Sequence, residues 1–184
     1  MNTLGMLRAV RSKEIEIMRV WRNTPSVRNN MYTRHEISYE EHQKWWEESE
    51  KRQDQEYFIY ELDGAPRGVV SFTAIDKINL NCAWAFYAAP EAPRGSGSRM
   101  EFLALEYVFN GLLMKKLYCE VLAFNAPVIK MHEKFGFSVE GVFRQQHRVD
   151  DDLVDVYRLG MLREEWLNRC EAMHHKLLSQ RRIK

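Results

Sequence analysis

Apolar residues along this chain recur with two different periods, and the switches between them mark out the elements. Leu4 to Val10 reads as a short first strand. Beyond it Ile15, Met18 and Trp21 form a helical stripe, with Ser12 as the expected N-cap. After the loop TPSVRNNMYTRHEI, Ser38 with Glu41 three residues on predicts a capping box. The box opens a strongly charged helix that carries His42, Trp45 and Trp46. Tyr57 to Leu62, a DGAP turn and Gly68 to Ile75 predict a β-hairpin. Leu80 to Ala88 alternates, with Leu80, Cys82, Trp84 and Phe86 on one face. A proline-rich turn and a glycine loop lead into a long helix with Phe102, Leu105, Phe109 and Leu112 or Leu113 inward. Lys116 to Leu122 reads as a buried central strand. Strands from Ser138 and over Leu153 to Leu162 flank a turn at DDD, and Glu164 onward is helical, ending in the basic tail QRRIK.

The stretch NAPVIKMHEKFGF, residues 125–137, is bracketed as one short helix. Asn125 is a cap residue, Pro127 suits a first turn, and Gly136 can close the end in the left-handed conformation. Val128, Met131 and Phe135 predict its buried face, and His132 lies at the edge of that stripe. Taken alone, such a histidine is either a hydrogen-bonded core residue or a functional imidazole.

At 184 residues the chain is expected to form one domain spanning 1–184. A composition 45% hydrophobic and 29% charged excludes disorder. The net charge of +1 leaves no global pull toward nucleic acid or a membrane surface, so any bound anion must be held by local groups. Cys82, Cys119 and Cys170 show neither a disulfide framework nor zinc-ligand spacing, and no metal is expected. No apolar run approaches the ~20 residues of a spanning helix and no signal peptide is evident, so a cytoplasmic location is the expectation. Mixed strand and helix order with several hairpins predicts an α/β (α+β mixed) domain whose sheet is part antiparallel and part parallel.

The loop Arg94-Gly95-Ser96-Gly97-Ser98-Arg99 sits between a strand and a helix. Converging amides and a helix N-terminus are the physics of a pyrophosphate cradle, with Arg94 and Arg99 as candidate clamps. The loop is neither a P-loop nor a dinucleotide fingerprint, because no Gly-Lys-Ser/Thr follows and Met100 occupies the third glycine position. A plain capped turn is the alternative.

With the element order, the glycine loop and the Asn-Ala-Pro to Gly-Phe segment, the chain resembles the GNAT acyl-CoA N-acetyltransferases. Their signature, Gln/Arg-x-x-Gly-x-Gly/Ala, follows the fourth strand; its Gln/Arg position falls here on Ala92. The resemblance implies a mostly antiparallel, twisted, mixed sheet of about seven strands flanked by helices, splayed between strands 4 and 5. It implies acetyl-CoA as co-substrate, held by the amides of residues 94–99 and by Asn125. It also implies a thioester carbonyl polarised by a backbone amide where the fourth strand bulges, at Tyr87 or Ala88. His132 stands where the family usually has a tyrosine that acts as general acid to the coenzyme A sulfur. An imidazolium near pKa ~6.5 can protonate a thiolate whose acid has pKa ~8.5. Glu120, the lone carboxylate in Leu117 to Leu122, reads equally as a base working through a water and as the ion-pair partner of a neighbouring arginine.

The acceptor should lie at the first two helices and their loop, where cations Arg22 and Arg28 mix with Met31, Tyr32, Trp45 and Trp46. That mixture suits the diphosphate and flat rings of a nucleotide sugar. WRNTPSVRNNMY, EEHQKWW and GVVSFT resemble one GNAT branch, the UDP-4-amino-sugar N-acetyltransferases of pseudaminic acid biosynthesis, whose product decorates flagellin. The resemblance implies direct attack on acetyl-CoA by the 4-amine of UDP-4-amino-4,6-dideoxy-N-acetyl-β-L-altrosamine. Arg22, Met31, Tyr32, His42, Trp45, Thr73 and Tyr87 would line that site. Homodimers are common in the family. Two alternatives stand beside it: an enzyme acting on a protein N-terminus or other amine, and a non-catalytic module that binds coenzyme A as a regulator.

Overall fold

A computed structural model describes residues 4–180, so the outer ends of the expected 1–184 span, including the last four residues of the basic tail, lie outside it. Seven strands form one sheet: β1 (Met6–Ala9), β2 (Glu56–Leu62), β3 (Ala65–Asp76), β4 (Asn81–Ala88), β5 (Lys116–Leu122), β6 (Ser138–Val149) and β7 (Asp152–Leu162). Their order is β1-β2-β3-β4-β5-β7-β6, and every neighbouring pair is antiparallel except β4 and β5. The mixed, mostly antiparallel sheet predicted from the sequence is the one observed.

Helices cover both faces. On one, α1 (Ile15–Asn23), α2 (Pro25–Arg28) and α3 (Tyr39–Ser49) precede the hairpin. Ile15, Met18, Trp21 and Trp46 pack there against Ile59 and Val69. On the other, α4 (Ser96–Glu106), α5 (Ala126–Phe135), α6 (Arg163–Leu167) and α7 (Cys170–Gln180) enclose a second core with Val70, Phe72, Cys82 and Trp84. Adjacent Val69 and Val70 thus serve different cores, as the two-residue period of a strand requires. The long helix predicted after the glycine loop is α4 followed by a wider turn over Tyr107–Gly111; of the two leucines offered as inward, Leu112 packs against the core and Leu113 is exposed.

Two cap predictions change. Ser38 Oγ accepts the Glu41 N–H at 3.1 Å as expected, but the Glu41 carboxylate bonds His35 instead of closing the box. Ser12 caps nothing: the Glu14 carboxylate accepts the Arg11 N–H at 2.9 Å, and Ser12–Glu14 is a 3-10 turn before α1. Glu14 is buried against Arg8, which gives it a fixed position from which to reach that amide.

The feature that positions the site is the parallel pair. β4 and β5 are in register only from Asn81 to Ala83 and from Lys116 to Tyr118. Beyond those residues the strands separate, and the predicted splay opens as a wedge in the sheet.

Candidate active site

His132 forms the floor of the wedge. On α5 the buried residues are Ile129, His132 and Phe135. This corrects the predicted stripe: Val128 and Met131 are only half-buried, and Val128 faces the wedge. The helix ends as predicted, with Gly136 left-handed at φ 108°. His132 is 2% exposed, ringed by Trp84, Phe86 and Phe137 at centroid distances of 5.4, 6.2 and 5.3 Å. Its Nδ1 lies 2.8 Å from Oε1 of Glu101, which α4 delivers fully buried. The Cys119 thiol on β5 is another polar neighbour of the ring. Burial by itself would push the imidazole pKa down; Cys119 and Glu101 more than reverse it, and the result is raised to about 10. Burial pushes the Glu101 carboxyl up, opposed by His132. Each partner offsets part of the desolvation of the other across that 2.8 Å contact. The unperturbed imidazole expected from the sequence is not the one present.

Above His132 the wedge holds a cavity of about 360 Å³, lined by Trp84 to Ala88 of β4 with Ala89 and Pro90 just beyond it, by Cys119, Glu120 and Val121 of β5, and by Asn125. Asn125 sits at the cap position of α5 but its side chain bonds no helix amide, which leaves it directed to the cavity's contents. The predicted bulge in β4 is absent, since its register with β3 runs unbroken from Thr73/Ala83 to Gly68/Ala88. The shift lies in β3 beyond Thr73. The Ala89 N–H donates to Arg67 O at 2.9 Å. Antiparallel pairs alternate, so Tyr87 also bonds toward β3 while the amides of Phe86 and Ala88 face the wedge. Of the two predicted amides, Ala88 is the one the topology turns toward the wedge.

Residues 94–99 lie at the mouth, outside the cavity lining. Gly95 is left-handed (φ 87°) and caps α4. The Ser96 N–H bonds Pro93 O and the Arg99 N–H bonds Gly95 O, so those of Gly97 and Ser98 are the amides left open at the helix start. A Cβ on Gly97 would lie 3.4 Å from Met131 Sδ and Phe86 Cε2, in contact where α4 approaches α5. Arg94 is exposed and Arg99 buried. Ala92 packs beside the first core and presents no polar side chain.

A second cavity of about 300 Å³ opens on the α1–α3 face and shares Met31, Ala85, Phe86 and Tyr87 with the first. Arg22, Met31, His42, Trp45 and Tyr87, all named above for the acceptor, line it together. Arg22 Nη2 donates to Thr33 O at 2.9 Å, while its buried Nη1 has no partner. His42 is 4% exposed with Nδ1 unpartnered, and burial pushes its pKa down. Trp45 stands edge-on to Tyr57 at 5.1 Å. Thr73 lines neither cavity; on its face of β3, Ser71 and Val69 take that place. Tyr32 lies at the rim of the first cavity instead. Its hydroxyl donates to Glu120 Oε2 at 2.9 Å, and Arg158 Nη1 donates to Glu120 Oε1 at 3.0 Å from the opposite position on β7. Glu120 is thus held at the rim by a neighbouring strand's arginine, itself 3.4 Å over the Tyr118 ring.

The sequence reading missed Glu101, Cys119, Tyr57 and Arg158. For Glu101 a signal was present: a lone carboxylate inside Met100 to Leu105, four residues before Leu105 and so on the inward face. No group of His, Cys, Asp or Glu placed to hold a metal occurs among the described residues, and none of their helices is long and apolar enough to cross a membrane.

The acetyltransferase (GNAT) domain family matches residues 6–138. The spermidine N(1)-acetyltransferase of Escherichia coli is 27% identical over 127 residues, 68% of this chain and 68% of that one. The acetyltransferase PseH of Campylobacter jejuni is 27% identical over 128 residues, 70% of this chain and 79% of its own. Among solved structures, the spermidine N-acetyltransferase of Vibrio cholerae in complex with CoA and spermine superposes with a TM-score of 0.82 at 22% identity, covering 89% of this chain and 98% of that one.

Proposed function

The chain belongs to the GNAT acetyltransferase family and is an acetyl-CoA-dependent enzyme, and on that premise we propose that it acetylates the 4-amine of a UDP-linked 4-amino-4,6-dideoxy sugar. The substrate would be the altrosamine derivative of pseudaminic acid biosynthesis, the route to glycosylated flagellin. The observation that carries this reading is the acceptor cavity. It offers a buried guanidinium nitrogen with no partner, on Arg22, in a cavity that the Trp45 and Tyr57 rings also line. An anionic, ring-bearing amine satisfies both. A polyamine, the acceptor named for the spermidine acetyltransferases, needs free carboxylates. Among the described residues lining this cavity only Glu41 has one, and His35 already engages it at 2.9 Å.

In this reading acetyl-CoA occupies the wedge. The amides of Gly97 and Ser98 hold its pyrophosphate, Asn125 meets the pantetheine arm, and the Ala88 amide polarises the thioester carbonyl. The neutral amine reaches the carbonyl carbon across the wall at Phe86 and Tyr87 and attacks directly. His132, kept protonated by Glu101, gives its proton to the departing sulfur. Glu120, with both oxygens engaged by Tyr32 and Arg158, serves as a rim anchor, and the amine's proton leaves to solvent.

A thiol-release assay with acetyl-CoA tests the proposal by offering the UDP-4-amino sugar beside spermidine and N-terminal peptides. Release with the sugar alone is expected. Release with spermidine or a peptide alone would overturn the acceptor assignment, and tight acetyl-CoA binding without release to any amine would favour a regulatory module.

A further inference from the structure

Cys119 stands in the wedge with no part in the transfer above. It is 5% exposed, projects from β5 into the same cavity as His132, and interacts with the imidazole. Nδ1 of that ring is held by Glu101 at 2.8 Å, which leaves Nε2 as the nitrogen to face the thiol. A sulfur, an imidazole beside it and a buried carboxylate orienting the imidazole form the arrangement that activates a nucleophile. The other two cysteines lack it. Cys82 is buried, its thiol pushed up to about 12 by desolvation and then Glu56, and Cys170 donates to Leu167 O on the outer layer.

We propose that Cys119 is a second acetyl acceptor: when no amine fills the neighbouring cavity, its sulfur takes the acetyl group from acetyl-CoA and holds it as a thioester. This rests on the reading of the wedge as the acetyl-CoA site. In the reacting form one proton is shared by the pair and resides on His132, leaving Cys119 a thiolate. The thiolate forms a bond to the carbonyl carbon, with the Ala88 amide stabilising the oxygen as it gains charge. The bond from that carbon to the coenzyme A sulfur breaks, and the sulfur leaves with the electron pair. The His132 proton then passes to it. The products are S-acetyl-Cys119, neutral His132 and free coenzyme A. One thioester replaces another, so the step consumes no further reactant. Any amine that later attacks the Cys119 thioester restores the thiol.

The test uses the full chain, incubated with acetyl-CoA alone, quenched in acid and mapped by peptide mass with and without hydroxylamine. The expected result is up to one hydroxylamine-labile acetyl group per chain, on Cys119, matched by a burst of free coenzyme A. Cys119→Ser should lose it. His132→Gln and Glu101→Gln should form it about a hundredfold more slowly, with acetyl-CoA binding followed by thermal shift. Cys170, in the same sample, reports non-enzymatic labelling whether or not a variant folds. An unlabelled Cys119 in a sample that binds acetyl-CoA would overturn this inference and leave the wedge assignment standing. Equal labelling of Cys119 and Cys170, or an undiminished rate in folded His132→Gln, would overturn it as adventitious chemistry. Failure to bind acetyl-CoA would bring down the wedge assignment and this inference together.

Discussion

Replacing Glu101 by glutamine keeps the shape at 2.8 Å from His132 Nδ1 and removes the charge. In the wild type the imidazole pKa is raised to about 10, so at about pH 7.5 essentially every molecule carries the proton that the departing sulfur needs. Without the carboxylate, Cys119 alone opposes burial, and the ring's pKa falls from about 10. Fewer molecules are then protonated at about pH 7.5, and kcat should fall by about tenfold for each unit that the new pKa lies below that pH. The assay is steady-state thiol release from about pH 5.5 to about pH 10, with KM for acetyl-CoA at each point. Glu101→Gln should recover toward wild-type kcat as the pH falls, with KM little changed. A wild-type pH profile, or an equal loss at every pH, would refute the idea that Glu101 loads the histidine. The shift also has a stability sign. Folded protein keeps a proton that the unfolded chain releases at ~6.5, so the pair's contribution is fully present below that pH and is lost as pH rises through about 10.

Arg22→Ala should raise KM for the UDP-amino sugar about tenfold to a hundredfold, the scale of one charged hydrogen bond, with KM for acetyl-CoA unchanged. Initial rates with each substrate varied in turn separate the two constants. Gly97→Val should raise KM for acetyl-CoA, because the first added carbon already touches Met131 and Phe86 at 3.4 Å and the two methyls beyond it crowd the start of α4. Isothermal titration with coenzyme A checks this independently of turnover. Ser38→Ala removes the acceptor for the Glu41 N–H at the start of α3 and should cost about 1 kcal/mol, read by urea denaturation.

Much of the scaffold follows from periodicity and punctuation. β5 is observed with its predicted bounds, and α5 is bracketed by Asn125 and Gly136 where the cap residues placed it. Ile15, Met18 and Trp21 are all buried, as their spacing required. The inward face of α5 was less legible. Val128-Met131-Phe135 and Ile129-His132-Phe135 both stand at helical spacing, and α5 lies between a core and a cleft, so each set covers something. Local rules cannot choose between two such faces, and a histidine read as peripheral is in fact central.

What the sequence determined by itself is whatever depends on neighbours within one turn or one hairpin: the hairpin of β2 and β3, the glycine loop opening α4, and the residue types available to the acceptor cavity. The tertiary structure decided what depends on residues far apart. Glu101 and His132 are 31 positions apart and Tyr32 and Glu120 are 88 apart, so neither pairing leaves a local trace. The raised pKa of His132 rests on the first of these and on Cys119, because neighbours alter a buried imidazole only through distance and desolvation, and folding alone sets both.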